Sequence, residues 1–359
     1  MDAWILKFQR EMGWLTRKKI EKKVRVAVLD TGINASHPDI QKLWHLSANP
    51  DERAAQLREH YGDFTTDEKE PGSGPPVDEE GHGTHVAGVF LQLADNAELY
   101  VGRVMKGRTV RSSDRVIGQR VSNVRAVTRV LLFSFVSFDH SVPAQAIRHA
   151  VDKWNVQVIC ISFGFLEYSD RISSAIAYAR NKNGCVVFAA AGNNGKQSKT
   201  CYPARSPDAI CVRSADALGV LSDFNPPARS GIKYYLPGER VASTWPKKIE
   251  DQVETPSGFQ GIWRRLSGTS TATPIAAAIA AQILHFQRYR GSSIPGHQRL
   301  EGISALSGIQ SILLLMQEES FSGELSAAEH VIVAPWAVLG DEDTAERRLR
   351  DALELSRFS

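Results

Sequence analysis

Three short segments of the sequence combine a reactive or ionisable side chain with neighbouring glycines. Asp30 ends the apolar run VAVLD, His82 lies between two glycines in GHGTHVAGV, and Ser270 lies in LSGTSTATP. A serine hydroxyl is a poor nucleophile unless a base accepts its proton, and that base needs a carboxylate to orient it. Asp30, His82 and Ser270 supply one side chain for each of these tasks. The sequence therefore predicts a nucleophilic site built from these three residues.

The stretches around these residues predict an α/β fold with a doubly wound, mostly parallel sheet and helices on both faces. Short Val- and Ile-rich runs without strict alternation are typical of buried parallel strands. Such runs are VRVAVLD, AELYVGRVM, VQVICISFG, CVVFAAAGN and AICVRSA. Segments with helical spacing separate most of them, as βαβ units require, and the nearly apolar TPIAAAIAAQILHF predicts a buried helix. Such sheets place their active sites at the carboxyl ends of the strands.

Composition and charge exclude several classes of protein. The chain has 359 residues, of which 42% are hydrophobic and 23% are charged, so it is not largely disordered. Its 43 Lys and Arg residues nearly balance 40 Asp and Glu residues, which gives no reason to expect a nucleic acid or an acidic membrane as partner. No stretch approaches the ~20 apolar residues of a membrane-spanning helix.

Cysteine usage and the N-terminus predict a cytoplasmic location. Four cysteines form neither a CxxC pair nor a zinc-like spacing. Cys160, Cys185 and Cys211 lie in or beside apolar runs, where we expect reduced, buried and structural thiols. Charges are scattered among the apolar residues of the N-terminus, so it lacks the h-region of a signal peptide.

The three motifs, in the order Asp, His, Ser, resemble those of the subtilisin-like serine proteases (subtilases, peptidase S8), of an intracellular type. The resemblance covers about residues 24–290. It implies the three-layer subtilisin-like fold and hydrolysis of peptide bonds through an acyl-enzyme intermediate. Asp30, His82 and Ser270 would form the catalytic triad, most active near or above neutral pH because His82 must be deprotonated. His85, one turn later, is expected to be a packed structural histidine.

A fourth segment extends the resemblance to the stabilisation of the reaction intermediate. FAAAGNNG places Asn193 just after a buried strand, where subtilases carry their oxyanion-hole asparagine. Attack on a carbonyl places negative charge on its oxygen, which preorganised donors stabilise. We expect the Asn193 amide and the backbone N–H of Ser270 to be those donors, aided by the positive end of the helix that begins at Ser270.

The resemblance also implies substrate-binding segments. ISFGF matches the family strand that pairs with the substrate backbone, which assigns Ser162, Phe163 and Gly164 to substrate binding. Many relatives have a second glycine where this chain has Phe165, so the width of the neighbouring subsites is open. The specificity pocket would be lined by Cys201 and Tyr202, followed by a cis peptide bond to Pro203. With no acid at its base, we expect an uncharged, medium-sized or aromatic P1 side chain.

We divide the chain into three parts: a helical lead-in over 1–23, a catalytic domain over 24–290 and a helical extension over 291–359. The 23 residues before Val24 are too few for the inhibitory pro-region of secreted subtilases. The protein would then be an intracellular type that folds unaided, or derive from a longer gene product. An atypical insert covers about 111–140. It is either a non-coding stretch retained in the gene model, which could be deleted without loss of folding, or a genuine lid or docking element.

Cofactors and partners follow from the same resemblance. The chemistry requires no cofactor, and the partner is a polypeptide substrate. Calcium is common in the family, but the acidic candidates Asp39, Asp63 and Asp78 do not define a coordination set. Two other functions stay open: a catalytically silent or regulated interaction module of the same fold, and an acyl hydrolase or transferase acting on a non-protein substrate.

Overall fold

A computed structural model of the protein describes residues 1–66, 74–106, 139–228, 231–246, 257–293, 306–317 and 330–356. Most of the predicted insert at 111–140 therefore lies outside the described residues. The strands are β1 Arg25–Asp30, β2 Tyr61–Asp63, β3 Glu98–Arg103, β4 Val158–Ile161, β5 Val186–Ala190, β6 Ala209–Ala215, β7 Lys233–Pro237, β8 Val241–Thr244, β9 Trp263–Leu266 and β10 His330–Ile332.

Eight of these strands form one sheet in the order β10-β7-β6-β5-β4-β1-β3-β2, and every neighbouring pair in it is parallel. Strands β8 and β9 form a separate antiparallel pair. Strand β1 lies inside the sheet, with β3 and then β2 on one side and β4 to β7 and β10 on the other. This is the doubly wound parallel sheet that the sequence predicted.

Helices cover both faces of the sheet. They are α1 Asp2–Thr16, α2 Pro38–Leu43, α3 Pro50–His60, α4 His82–Leu93, α5 Ser141–Asp152, α6 Asp170–Asn183, α7 Thr269–Ser293, α8 Leu306–Leu315, α9 Trp336–Leu339 and α10 Glu342–Ser356. Alternate residues of β1 belong to opposite cores: Val26 and Val28 pack in the core that contains α4 and α7, and Ala27 and Leu29 in the core that contains α5 and α6. The sheet is thus the middle of three layers, as expected.

The predicted N-terminal lead-in forms the helix α1. Its apolar residues recur at helical spacing and are buried: Trp4, Ile5, Phe8, Met12 and Leu15. They join the core that contains α4 and α7. Polar contacts add to this packing, because Arg265 pairs with the Asp2 carboxylate through two bonds of 2.6 and 2.7 Å, and Trp14 Nε1 donates to Leu339 O at 2.9 Å. Among the described residues, no helix has the length and apolarity needed to cross a membrane.

The described part of the C-terminal extension packs on the same core. Strand β10 pairs with β7, forms one edge of the sheet and buries Val331. Arg290, near the end of α7, lies 2.9 Å from Glu342 of α10, and Lys18 lies 2.9 Å from the other oxygen of that carboxylate. The two ends of the chain are therefore joined to each other as well as to the sheet.

The cysteines largely follow the prediction. Cys160 and Cys185 are buried free thiols in apolar surroundings. Cys211 is also a free thiol but is only half-buried, so the expectation of full burial was wrong there. It is the one residue of β6 whose side chain is not buried, even though its neighbours Ile210 and Val212 are.

We predict that Phe8→Ala lowers the free energy of unfolding by about 3–5 kcal/mol, because it leaves a cavity beneath α1. Leu6→Ala is the matched control on the same helix: Leu6 is 64% exposed, and its loss should change the free energy by no more than about 0.5 kcal/mol. Urea denaturation of both variants measures the difference. Equal effects of the two substitutions would contradict the packing of α1 described above.

Candidate active site

Asp30 lies at the carboxyl end of β1, the strand at which the sheet order reverses. Its side chain is fully buried. Oδ1 of Asp30 is 2.7 Å from Nδ1 of His82 and accepts a hydrogen bond of 2.8 Å from the backbone N–H of Thr31. An ionised carboxylate only accepts hydrogen bonds, so Nδ1 of His82 must carry the proton of this contact. Asp30 therefore fixes both the orientation and the tautomer of His82.

His82 is the first residue of α4 and links Asp30 to the third predicted residue. Its Nε2 lies 3.1 Å from Oγ of Ser270. With the proton held on Nδ1, Nε2 of the neutral ring is free to accept the hydroxyl proton of Ser270. The structure thus brings Asp30, His82 and Ser270 into one buried line of hydrogen bonds.

Ser270 is the second residue of α7, a helix that is buried around its whole circumference over its first four turns. A nucleophile at this position lies beside the positive end of the helix dipole, which favours negative charge developing nearby. The apolar sequence TPIAAAIAAQILHF, from which we predicted a buried helix, fixes this end of α7 against the sheet.

Two glycines allow the turn after Asp30 to contact the start of α4 directly. A Cβ atom on Gly83 would lie 2.2 Å from the carbonyl oxygen of Gly32. Gly32 itself has a φ of +111°, and a Cβ there would lie 1.9 Å from the carbonyl oxygen of Val77. A side chain at Gly83 would therefore push the start of α4 away from the turn after Asp30, and one at Gly32 would push that turn away from the loop before α4.

Asn193 follows β5, and its side-chain amide points towards Ser270. Its Oδ1 accepts hydrogen bonds from the backbone N–H of Thr269 at 2.8 Å and from Oγ1 of Thr269 at 3.0 Å. Because a backbone N–H can only donate, this contact identifies Oδ1 and turns Nδ2 to the other side. A Cβ atom on Gly268 would lie 2.9 Å from Nδ2 of Asn193 and 3.2 Å from Oγ of Ser270. The backbone of Gly268 therefore lies against both the amide and the hydroxyl, and a side chain at this position would collide with Nδ2.

The predicted substrate-binding residues lie together beyond the ends of β4 and β5. Phe165 and Tyr202 exchange two backbone hydrogen bonds of 2.7 Å, which join the segment 162–164 to the segment 201–202. The Cys201 side chain lies against Gly164, where an added Cβ would approach Cys201 Cβ to 2.5 Å. Ser162 and Phe163 are buried at the end of β4. The Tyr202–Pro203 peptide bond is cis, as expected.

Phe165 follows the segment 162–164 at the position where the resemblance led us to expect a second glycine. Its ring is half-buried and lies 4.7 Å from the His140 ring and 5.7 Å from the Phe163 ring, measured between centroids. Burial raises the pKa of the neighbouring Cys201 thiol to about 11, so this thiol is uncharged at neutral pH. The Phe165 ring thus lies in an aromatic cluster, and the thiol of Cys201 beside it is uncharged.

His85 lies one turn after His82 and is fully buried. Its Nε2 is 3.0 Å from the carbonyl oxygen of Val241 and 3.1 Å from that of Arg264, both on the β8–β9 pair. Burial lowers the pKa of His85 to about 3, so the ring is neutral at any working pH and donates to these carbonyls. Its contacts anchor α4 to the hairpin.

The three acidic residues considered for calcium accept hydrogen bonds from the protein itself. Asp39 accepts from the backbone N–H groups of residues 260 and 261 and from the indole of Trp263. Asp63 accepts from Thr65 and Arg103, and Asp78 accepts from the backbone N–H of Thr84. Carboxylates filled by N–H and O–H donors do not fit a calcium ion, which takes several oxygens of its own. The described residues contain no group of three or more His, Cys, Asp or Glu side chains that could hold a metal.

Sequence reasoning missed residues that position the others. Thr269, which holds the Asn193 amide, carried no signal beyond its place next to Ser270. Asp78 lies four residues before His82, and its sequence position suggested only a candidate for calcium. Both act through contacts between distant segments, which neither periodicity nor motif spacing reveals.

Comparison with known proteins identifies the class of this site. The family model described as the subtilase family (peptidase S8) matches residues 21–299. The subtilisin-like protease het-Q2 of Podospora anserina is 28% identical over 337 residues, which cover 83% of this chain and 80% of that protein. Subtilisin of Bacillus pumilus is 30% identical over 264 residues, covering 73% of this chain and 76% of the relative. The chain belongs to the subtilase family of serine proteases.

A solved structure supports the fold. A serine-to-alanine mutant of the protease domain of PatA superimposes with a TM-score of 0.59 at 21% identity, over 93% of this chain and 98% of that chain. At 21% identity, this comparison concerns the fold alone. It agrees with the three layers described above.

We predict that Gly268→Ala lowers the rate of reaction with a fluorophosphonate on the order of 10²-fold or more, because the added methyl group would collide with Nδ2 of Asn193 and press on Oγ of Ser270. Gly291→Ala in α7 is the control, since its Cβ would meet no atom of the described residues within 4 Å. Fluorescent labelling rates measure both. Unchanged labelling of Gly268→Ala would contradict the arrangement of Asn193 and Ser270.

Proposed function

We propose that the protein is a serine endopeptidase that cleaves peptide bonds through an acyl-enzyme on Ser270. The observation that carries this proposal is the continuous line of hydrogen bonds from Asp30 through His82 to Ser270, with contacts of 2.7 and 3.1 Å. This geometry supplies a nucleophile, a base in reach of its proton and a carboxylate that orients the base.

In the first step Oγ of Ser270 attacks the carbonyl carbon of the scissile peptide bond, and its proton moves to Nε2 of His82. The imidazolium that results is stabilised by the Asp30 carboxylate, which remains ionised. The carbonyl oxygen gains negative charge and lies in the space beside Nδ2 of Asn193. Collapse of this intermediate breaks the carbon–nitrogen bond, and His82 returns the proton to the leaving amine.

The second step repeats the proton transfers with water. A water molecule gives one proton to His82 and attacks the ester carbonyl on Ser270. When the second tetrahedral intermediate collapses, the proton on His82 moves to Oγ of Ser270 and the carboxylic acid product leaves. The cycle uses only groups of the chain itself, requires no cofactor and begins with His82 neutral.

The substrate is proposed to be a polypeptide that lies as an added strand along residues 162–164. This segment follows β4 directly and so extends beyond the end of that strand. Its neighbours Cys201 and Tyr202 would line the pocket for the P1 side chain. The uncharged thiol of Cys201 supports an uncharged P1 residue. The free thiols of all four cysteines support the proposed cytoplasmic location.

We predict that a fluorophosphonate labels the wild-type protein at neutral pH and that Ser270→Ala abolishes the labelling. The serine hydroxyl is the group that bonds to phosphorus, so no other residue should carry the label in the wild-type protein. Gel fluorescence and mass spectrometry of the labelled peptide measure the rate and the site. Absence of labelling in wild-type protein with a cooperative unfolding transition would favour the interaction module instead.

We further predict that Asn193→Ala lowers kcat about 10²–10³-fold while KM for a peptide substrate changes little, because the lost donor acts on charge that develops in the transition state. The peptide substrate is chosen from a library profile of the wild-type enzyme. Labelling of Ser270 without cleavage of any library member would point to acyl chemistry on a non-protein substrate.

A further inference from the structure

Asp78 lies four residues before His82 and is the centre of a hydrogen-bond network next to the triad. Its side chain is buried. Oδ1 accepts from the backbone N–H groups of Glu80 at 3.1 Å and Gly81 at 2.8 Å. Oδ2 accepts from the backbone N–H of Thr84 at 2.7 Å and from Oγ1 of Thr84 at 2.6 Å. Both oxygens are therefore engaged at the beginning of α4.

This arrangement replaces an ordinary helix cap. The residue at the cap position of α4 is Gly81, which has no side chain, and the first turn of the helix contains no acidic residue. The first N–H groups of a helix have no partner within the helix, and a carboxylate close to them is favoured by the helix dipole. Asp78 supplies this acceptor from outside the helix and so fixes where α4, and with it His82, begins.

Thr31 connects this network to the turn that carries Asp30. Its Oγ1 donates to Oδ1 of Asp78 at 2.9 Å and accepts from the backbone N–H of Gly83 at 2.8 Å. Its own backbone N–H donates to the carboxylate of Asp30 at 2.8 Å. A single residue therefore contacts Asp30, Asp78 and the first turn of α4, and all of these groups are buried.

We propose that Asp78, through Thr31, is a positioning residue for the triad: it sets the distance between the Asp30 carboxylate and the His82 ring. The proposal rests on the proposed function, since it assigns a role within the same site. This role accounts for the presence of a second buried aspartate next to Asp30, although removing a carboxylate from water costs free energy. The five donors to Asp78 compensate this cost, and the rigidity of the network holds His82 in line with Ser270.

The test uses the fluorophosphonate as probe and separates its maximal rate of reaction, kinact, from its binding constant, KI. Thr31→Val removes the hydroxyl but keeps the shape of the side chain, and Thr31→Ser keeps the hydroxyl. We expect Thr31→Val to lower kinact about tenfold with KI unchanged, because it removes both the hydrogen bond to Asp78 and the one from the backbone N–H of Gly83. Thr31→Ser should stay within about twofold of wild type.

Asp78→Asn is the second variant, because an amide nitrogen in place of one oxygen would face a backbone N–H that can only donate. We expect its kinact to fall on the order of 10²-fold. Asp39→Asn is the matched control: Asp39 is also buried and accepts two backbone N–H bonds, but these anchor residues 260 and 261. Its thermal unfolding midpoint should fall as that of Asp78→Asn does, with kinact within about twofold of wild type.

The outcomes are distinct. Two results together support the positioning role. Thr31→Ser keeps the rate that Thr31→Val loses, and Asp78→Asn loses more of kinact than Asp39→Asn does at an equal unfolding midpoint. Equal rates in the two Thr31 variants, or losses that follow thermal stability alone in both aspartate variants, would overturn it. Wild-type protein that does not react at all would instead overturn the proposed function.

Discussion

The site depends on holding one imidazole ring between two groups that are far away in the chain. Asp30 is 52 residues and Ser270 is 188 residues from His82, yet both contacts are at hydrogen-bond distance. Short contacts of this kind need a rigid frame, because a displacement of about 1 Å can reduce catalysis 10²-fold. The frame consists of the carboxyl end of β1 and the first turns of α4 and α7, two helices that share one buried core.

The regions outside the matched family segment contribute to this frame. Residues 1–20 precede the match, and residues 300–359 follow it. Helix α1 buries Phe8 and Met12 in the same core as Val86 of α4 and Ile279 of α7. The described C-terminal part adds β10 to the sheet and ties α10 to the end of α7. The two ends of the chain thus pack on the core that also contains α4 and α7, the helices that carry the base and the nucleophile.

The sequence predicted the parts whose physical signal is local. Strands β1, β3, β4, β5 and β6 are buried apolar runs, and the glycine-flanked motifs identified Asp30, His82 and Ser270. Strand β9 was not predicted, because its sequence WRRL has one buried and three half-buried residues. Strand β7 was not predicted either, because KYYLP is short and mixes charged, aromatic and aliphatic residues. The positioning role of Asp78 was not predicted for a different reason. Its hydrogen-bond partners include the turn after β1 and the first turn of α4, and only the folded chain brings these segments to its carboxylate.

The most direct test of the central claim is a crystal structure of the protein after reaction with a fluorophosphonate. The account predicts phosphorus bonded to Oγ of Ser270, with its oxygen about 2.7–3.1 Å from Nδ2 of Asn193, as an oxyanion would lie. His82 should remain between the adduct and Asp30. An adduct on another side chain, or a phosphoryl oxygen turned away from Asn193 with His82 displaced from Asp30, would contradict the account.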